Sequence, residues 1–119
     1  MLSYFKWRHD TNEMVKYRNR NFKNLETLIE IHNLIIERPD EVRNEIKFMT
    51  LIKIDKQIDF YTSETAKIEG IIRDFANKDL NKYGKHLYNN YMALKQELGE
   101  IIDTLRELRV GIEEQIKLK

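Results

Sequence analysis

The chain has 119 residues and no cysteine, one proline, four glycines and three histidines. The missing cysteine removes disulfides, thiolate metal sites and thiol nucleophiles, and it agrees with a reducing compartment, so a cytoplasmic location is expected. Serine occurs only as Ser3 and Ser63, and neither lies in the glycine-flanked turn that presents a hydrolase nucleophile. The glycines at 70, 84, 99 and 111 stand singly, which leaves no phosphate-cradling loop. No apolar run approaches the roughly 20 residues of a membrane span. The N-terminus lacks a basic stretch followed by a continuous apolar one, so no secretory signal is read. Without a linker or low-complexity tract, a single domain is expected over residues 1–119.

What is present is charge and regularly spaced aliphatic residues. Charged residues make up 34% of the chain, above the roughly 25% of ordinary globular domains, as wide solvated helix faces would require. The net charge of +1 supplies no overall field toward nucleic acid or an anionic membrane. It is unevenly placed. Residues 1–24 hold six basic residues against Asp10 and Glu13, while the remaining 95 hold fifteen basic and eighteen acidic residues. The Ile, Lys, Asn and Glu usage is common in chains from AT-rich genomes, phage and mobile-element products among them.

The firmest pattern runs through Leu87, Tyr91, Leu94, Leu98, Ile101, Leu105, Leu108 and Ile112. Its alternating steps of four and three form the seam of a coiled coil. A second seam precedes it, through Leu51, Ile54, Ile58, Tyr61, Thr65, Ile68, Ile72 and Phe75. Val42, Ile46 and Met49 follow the same spacing upstream in a shifted frame, which predicts a stutter. Between the seams, Asn77 is placed to end one helix in a left-handed conformation and Asp79 to cap the next. Upstream, Val15, Phe22, Leu25, Ile29, His32 and Ile36 suggest a further helix, with Leu28, Leu34 and Ile35 widening its apolar face. Pro39, followed by Asp40 and Glu41, reads as a helix start. The expected architecture is all-α: a basic, aromatic arm over 1–10 and helices over 11–37, 39–75 and 79–117. The last two helices form an antiparallel hairpin with coiled-coil packing, and the first completes a three-helix bundle. Because the first helix is read as the shortest, part of the hairpin would remain uncovered. Self-association as a homodimer is therefore expected, with Leu87, Leu94, Leu98, Ile101, Leu105, Leu108 and Ile112 as the oligomer seam.

Candidates for chemistry are few. His9, His32 and His86 have no second histidine three or four residues away, so no helical metal pair forms. Glu37, Glu41 and Glu45 recur every four residues and would line one face of a continuous helix. A solvated ladder paired with Arg38, Arg43 and Lys47 is the simpler reading. No enzyme, metal or cofactor is expected. Thr65 interrupts its seam and either fixes register or bonds back to its own backbone. Gly111 lies beside the last seam, where it permits close approach of another helix or is a tolerated surface residue.

The opening "MLSYFKWRHD" remains. It either packs back on the bundle end, presents an epitope to a protein partner, grips a phosphate backbone or dips into a membrane surface. The candidate contact residues are Tyr4, Phe5, Lys6, Trp7, Arg8, Lys16, Tyr17, Arg18, Arg20 and Lys23. Aromatic and arginine side chains are the usual interface anchors. Basic residues interleaved with aromatics also suit nucleic acid. The expected function is a small non-catalytic interaction module, an adaptor, chaperone or inhibitor of phage or mobile-element type, that self-associates through its hairpin and binds a protein partner. Nucleic-acid binding through the arm and first helix is the alternative.

Overall fold

A computed structural model describes residues 4–117. Residues 1–3 of the expected arm and residues 118–119 lie outside the described residues. The fold is a bundle of three helices: α1 (Tyr4–Glu37), α2 (Asn44–Ala76) and α3 (Lys82–Lys117). It measures 59 × 22 × 16 Å, a rod one long helix tall. Among the described residues there is no strand, and no helix is long and apolar enough to cross a membrane.

α3 forms the spine, packing against both α1 and α2, which touch each other little. Its whole aliphatic seam, from Leu87 to Ile112, is buried. The hairpin with α2 is as expected from the two seams. Ile54 and Tyr61 are buried, and Leu51, Ile58, Ile68 and Phe75 pack against the core. Thr65 donates to the Tyr61 carbonyl at 2.8 Å, the backbone-bonded alternative. Three ion pairs tie the spine to its neighbours: Arg18 to Glu97 at 2.7 Å, Arg109 to Asp55 at 2.7 Å and Lys95 to Glu69 at 3.6 Å. Arg109 also engages Glu113 on its own helix.

Several local expectations are corrected. The arm is not separate, because α1 begins at Tyr4 and carries the aromatic segment as its first two turns. Nor is the first helix the short one; the three have 34, 33 and 36 residues. Pro39 does not start α2. It lies in a turn closed by Glu41 N–H to Arg38 O, and α2 begins five residues later behind Arg43, whose extended backbone marks the cap. The delay lets Val42 turn inward and close the end of the core. At the other turn, Asn77 ends α2 with φ of −94°, without a left-handed residue. Asn81 rather than Asp79 caps α3, its side-chain oxygen accepting from Gly84 N–H at 2.9 Å.

The inward face of α1 differs in part from its expected one: Leu25 and Ile29 pack against the core and Leu28 and Ile35 are buried as expected, but the centre of the face is displaced. The buried row is Met14, Asn21, Leu28 and Ile35, with Trp7 packed against the core one heptad earlier. Val15, Phe22 and Ile36, expected inside, are exposed. They sit one residue along, about 100° around the helix. Gly111 shows why α1 approaches α3 closely near this end: a Cβ there would stand 2.7 Å from the Nε2 of His32.

This register makes Ile35 and Ile36 a matched pair. Truncating Ile35 to Ala should cost about 2–5 kcal/mol as for other buried aliphatics. Truncating Ile36 should cost less than about 1 kcal/mol. Chemical denaturation of the two variants checks the assignment, and the reverse order would restore the other register.

Candidate functional site

The opening aromatics gather at the α1 and α3 N-terminal ends. Trp7 is half-buried, its ring centroid 5.7 Å from Tyr83 and 6.3 Å from His86, and Tyr4 lies 5.8 Å from Trp7 and 5.8 Å from Tyr83. Of the described aromatic rings Phe5 meets only that of Tyr4, edge-on at 5.6 Å, and it is strongly exposed. The cluster pins the first turns of α1 to α3 while presenting Tyr4 and Phe5 outward.

The basic candidates do not form one grip. Lys6 pairs with Asp10 at 3.1 Å and Lys16 with Glu13 at 3.5 Å. Arg18 faces α3 and is engaged by Glu97. Arg8 donates to the Tyr4 hydroxyl at 3.3 Å. Arg20, on the rim of a cleft between α1 and α2, and Lys23 are both exposed. Helical spacing thus scatters the charges over several directions, and a phosphate chain would have to meet them one face at a time. The glutamate ladder is also broken. Glu37 ends α1, Glu41 lies in the turn paired with Arg38, and Glu45 stands in the first turn of α2. Among the described residues no three His, Cys, Asp or Glu side chains converge as metal ligands would.

Where α1 and α2 diverge, a cleft of about 420 Å³ opens. Met14, Ile68, Ile71 and Leu94 supply apolar walls, and Asp10, Glu13, Glu64, Arg20 and Lys67 supply a mixed charged rim. Tyr17 stands in it, its hydroxyl buried beside Asn21 and Glu64 without a hydrogen bond of good geometry. Burial, then the negative charge of Glu64, pushes its pKa up to about 12. Deeper in, the Tyr61 hydroxyl donates to the Asn21 side-chain oxygen at 3.2 Å, and burial raises its pKa as well. The Asn21 amide nitrogen is buried without a partner.

The seam residues Leu87, Leu94, Leu98, Ile101, Leu105, Leu108 and Ile112 are all buried within the single chain, against α1 and α2. They are occupied, and any contact between copies would use another face.

The most unusual surface was not foreseen. The frame of α2 runs unbroken back through Ile54 to Lys47, with no stutter, so Lys47 is fully buried and Thr50 nearly so. Lys47 Nζ donates to the Pro39 carbonyl at 2.9 Å, fastening the turn, and Thr50 bonds back to the Ile46 carbonyl at 2.7 Å. The displaced apolar residues face outward: Phe48, Met49 and Ile52 are 52%, 59% and 55% exposed, with Ile46 exposed beside them. The periodicity of Ile46 and Met49 with Val42 pointed inward, and only the conflict with the downstream frame signalled otherwise.

Comparison with protein-family models, curated proteins and solved structures finds no match.

The two buried tyrosines should respond oppositely to loss of the hydroxyl. Tyr17→Phe removes an unbonded polar group and should leave stability unchanged or raised, whereas Tyr61→Phe strands Asn21 and should cost about 1 kcal/mol. Because the Tyr17 pKa is raised in the folded state, its contribution is complete below pH 10 and is lost as pH climbs toward 12, since the unfolded chain ionises first. Denaturation midpoints through that interval should fall less steeply in Tyr17→Phe; an identical slope would contradict the burial of the phenol.

Proposed function

We propose that this chain is a small non-catalytic helical module that works by binding another protein, as an adaptor, chaperone or inhibitor. The observation that carries the reading is the inversion in the first turns of α2. Lys47 and Thr50 occupy the core while Phe48, Met49 and Ile52 face solvent. A bundle optimised only for stability would exchange them, because each half-exposed apolar side chain forgoes part of the about 1.5–3 kcal/mol that full burial brings. Local departures from the folding pattern concentrate where a surface serves a purpose. An apolar group rimmed by Glu45, Lys53 and Asp55 has the composition of a protein-docking surface. Methionine and aromatic side chains adapt to a partner helix or loop. The aromatic end at Tyr4 and Phe5 offers a second anchor. Self-association belongs to the same reading and, with the hairpin seam occupied within the chain, requires a different face.

The scattered and ion-paired basic residues give the nucleic-acid alternative less support. Affinity capture from native lysate separates the two. Wild-type protein should retain a partner set that nuclease treatment leaves intact and that Phe48→Gln with Ile52→Gln abolishes. The double variant should keep a helical spectrum and lose no more than about 1 kcal/mol of stability, since both positions are exposed. Unchanged capture by the double variant would refute the docking surface. Capture that disappears with nuclease or moderate salt would favour nucleic acid.

A further inference from the structure

The outward face of α1 carries a second regular ridge. Val15, Phe22, Ile29 and Ile36 recur every seven residues beside the buried row. Val15, Phe22 and Ile36 are exposed, and Ile29 is half-buried, one side against the chain's own core. From first to last the ridge spans about 32 Å at 1.5 Å per residue. A heptad ridge of this length is the form in which a helix presents itself to another helix.

The charges flanking the ridge say which helix. On the outward side, the first half carries Arg8, Lys16 and Lys23 and the second half carries Glu26, Glu30 and Glu37. The sign changes near the middle of the ridge. Such a pattern repels a parallel copy of itself and attracts an antiparallel one. Centred between Phe22 and Ile29, a two-fold axis sets Phe22 opposite Ile29 of the second copy and Val15 opposite its Ile36. The same axis places Lys23 between Glu26 and Glu30 of the second copy, and Lys16 near its Glu37. One register therefore satisfies apolar and charged rows together. Lys23, Glu26 and Glu30 form no ion pair among the described residues, so each is available for the contact.

We infer that two copies of this chain associate through α1, antiparallel about a two-fold axis near residue 25, with this ridge at the contact. The inference rests on the self-association part of the reading above. It uses a face distinct from the Phe48, Met49 and Ile52 surface. A monomeric chain would leave partner capture standing, and loss of capture would leave the dimer standing.

Charge exchange tests orientation as well as association. Sedimentation equilibrium of the full chain should give a dimer. Lys16→Glu with Lys23→Glu leaves Arg8 as the one cation of the face and makes it predominantly acidic, and Glu30→Lys with Glu37→Lys makes it predominantly basic. Each variant alone should associate at least tenfold more weakly, with an unchanged helical spectrum, because all four side chains are exposed. Mixing the two variants should restore a dimer containing one of each, and combining all four substitutions in one chain should restore self-association. A wild-type chain that stays monomeric up to about 100 μM would overturn the proposal, since its Kd would then lie well above that concentration. So would a dimer indifferent to both variants, which would lie on another face. Weakened variants that fail to recover on mixing would overturn the antiparallel register.

Discussion

The structure hangs on the burial of one helix face. Leu87, Leu94, Leu98, Ile101, Leu105, Leu108 and Ile112 form an uninterrupted row, and both other helices are organised by contact with it. Each fully buried aliphatic contributes about 1.5–3 kcal/mol relative to exposure, so this row is the largest coherent source of stability in the chain. Because α1 and α2 meet α3 more than each other, their mutual boundary stays loose. The open cleft there, with its charged rim, follows from that asymmetry.

The strength of the α3 row also explains how the bundle tolerates poor inward choices on all three helices. Asn21 faces the core with one amide hydrogen-bonding group unmatched, Glu97 keeps a buried oxygen without a partner, and Lys47 is fully enclosed. Buried polar groups of this kind cost stability unless they are bonded. Lys47 recovers part of that cost by holding the Pro39 carbonyl. A deep aliphatic spine can carry such groups, and the surfaces left free by them are where apolar side chains meet water.

Legibility in the sequence followed the purity of each pattern. The hairpin was readable because its two seams contain almost nothing but aliphatic and aromatic residues at steps of three and four. The inward face of α1 was not, because two adjacent rows compete. Val15, Phe22, Ile29 and Ile36 are the more apolar row, yet Met14, Asn21, Leu28 and Ile35 are the ones that fit α3. Periodicity reports that a helix has an apolar side; it does not rank two such sides a hundred degrees apart. Trp7, one heptad before Met14, was the overlooked sign that the arm continues the helix. Pro39 with its acidic followers resembled a helix start because local capping chemistry cannot register that Val42 must first turn inward. The contact residues at the N-terminus were identifiable by type, but their directions depended on tertiary placement, as Arg18 turning to Glu97 illustrates.

The repeat that builds α1 also makes its position along the bundle nearly degenerate. Slid by seven residues, Met14 would fall where Asn21 now lies and Leu28 where Ile35 does, while Asn21 would take the place of Leu28 among aliphatic side chains. Three contacts break that near-symmetry: Asn21 beneath the Tyr61 hydroxyl, Arg18 on Glu97, and the His32 ring over Gly111. They act as the teeth of a vernier, weak as sources of cohesion but decisive for alignment. The imperfectly satisfied asparagine in the core thus opposes a slip by one heptad.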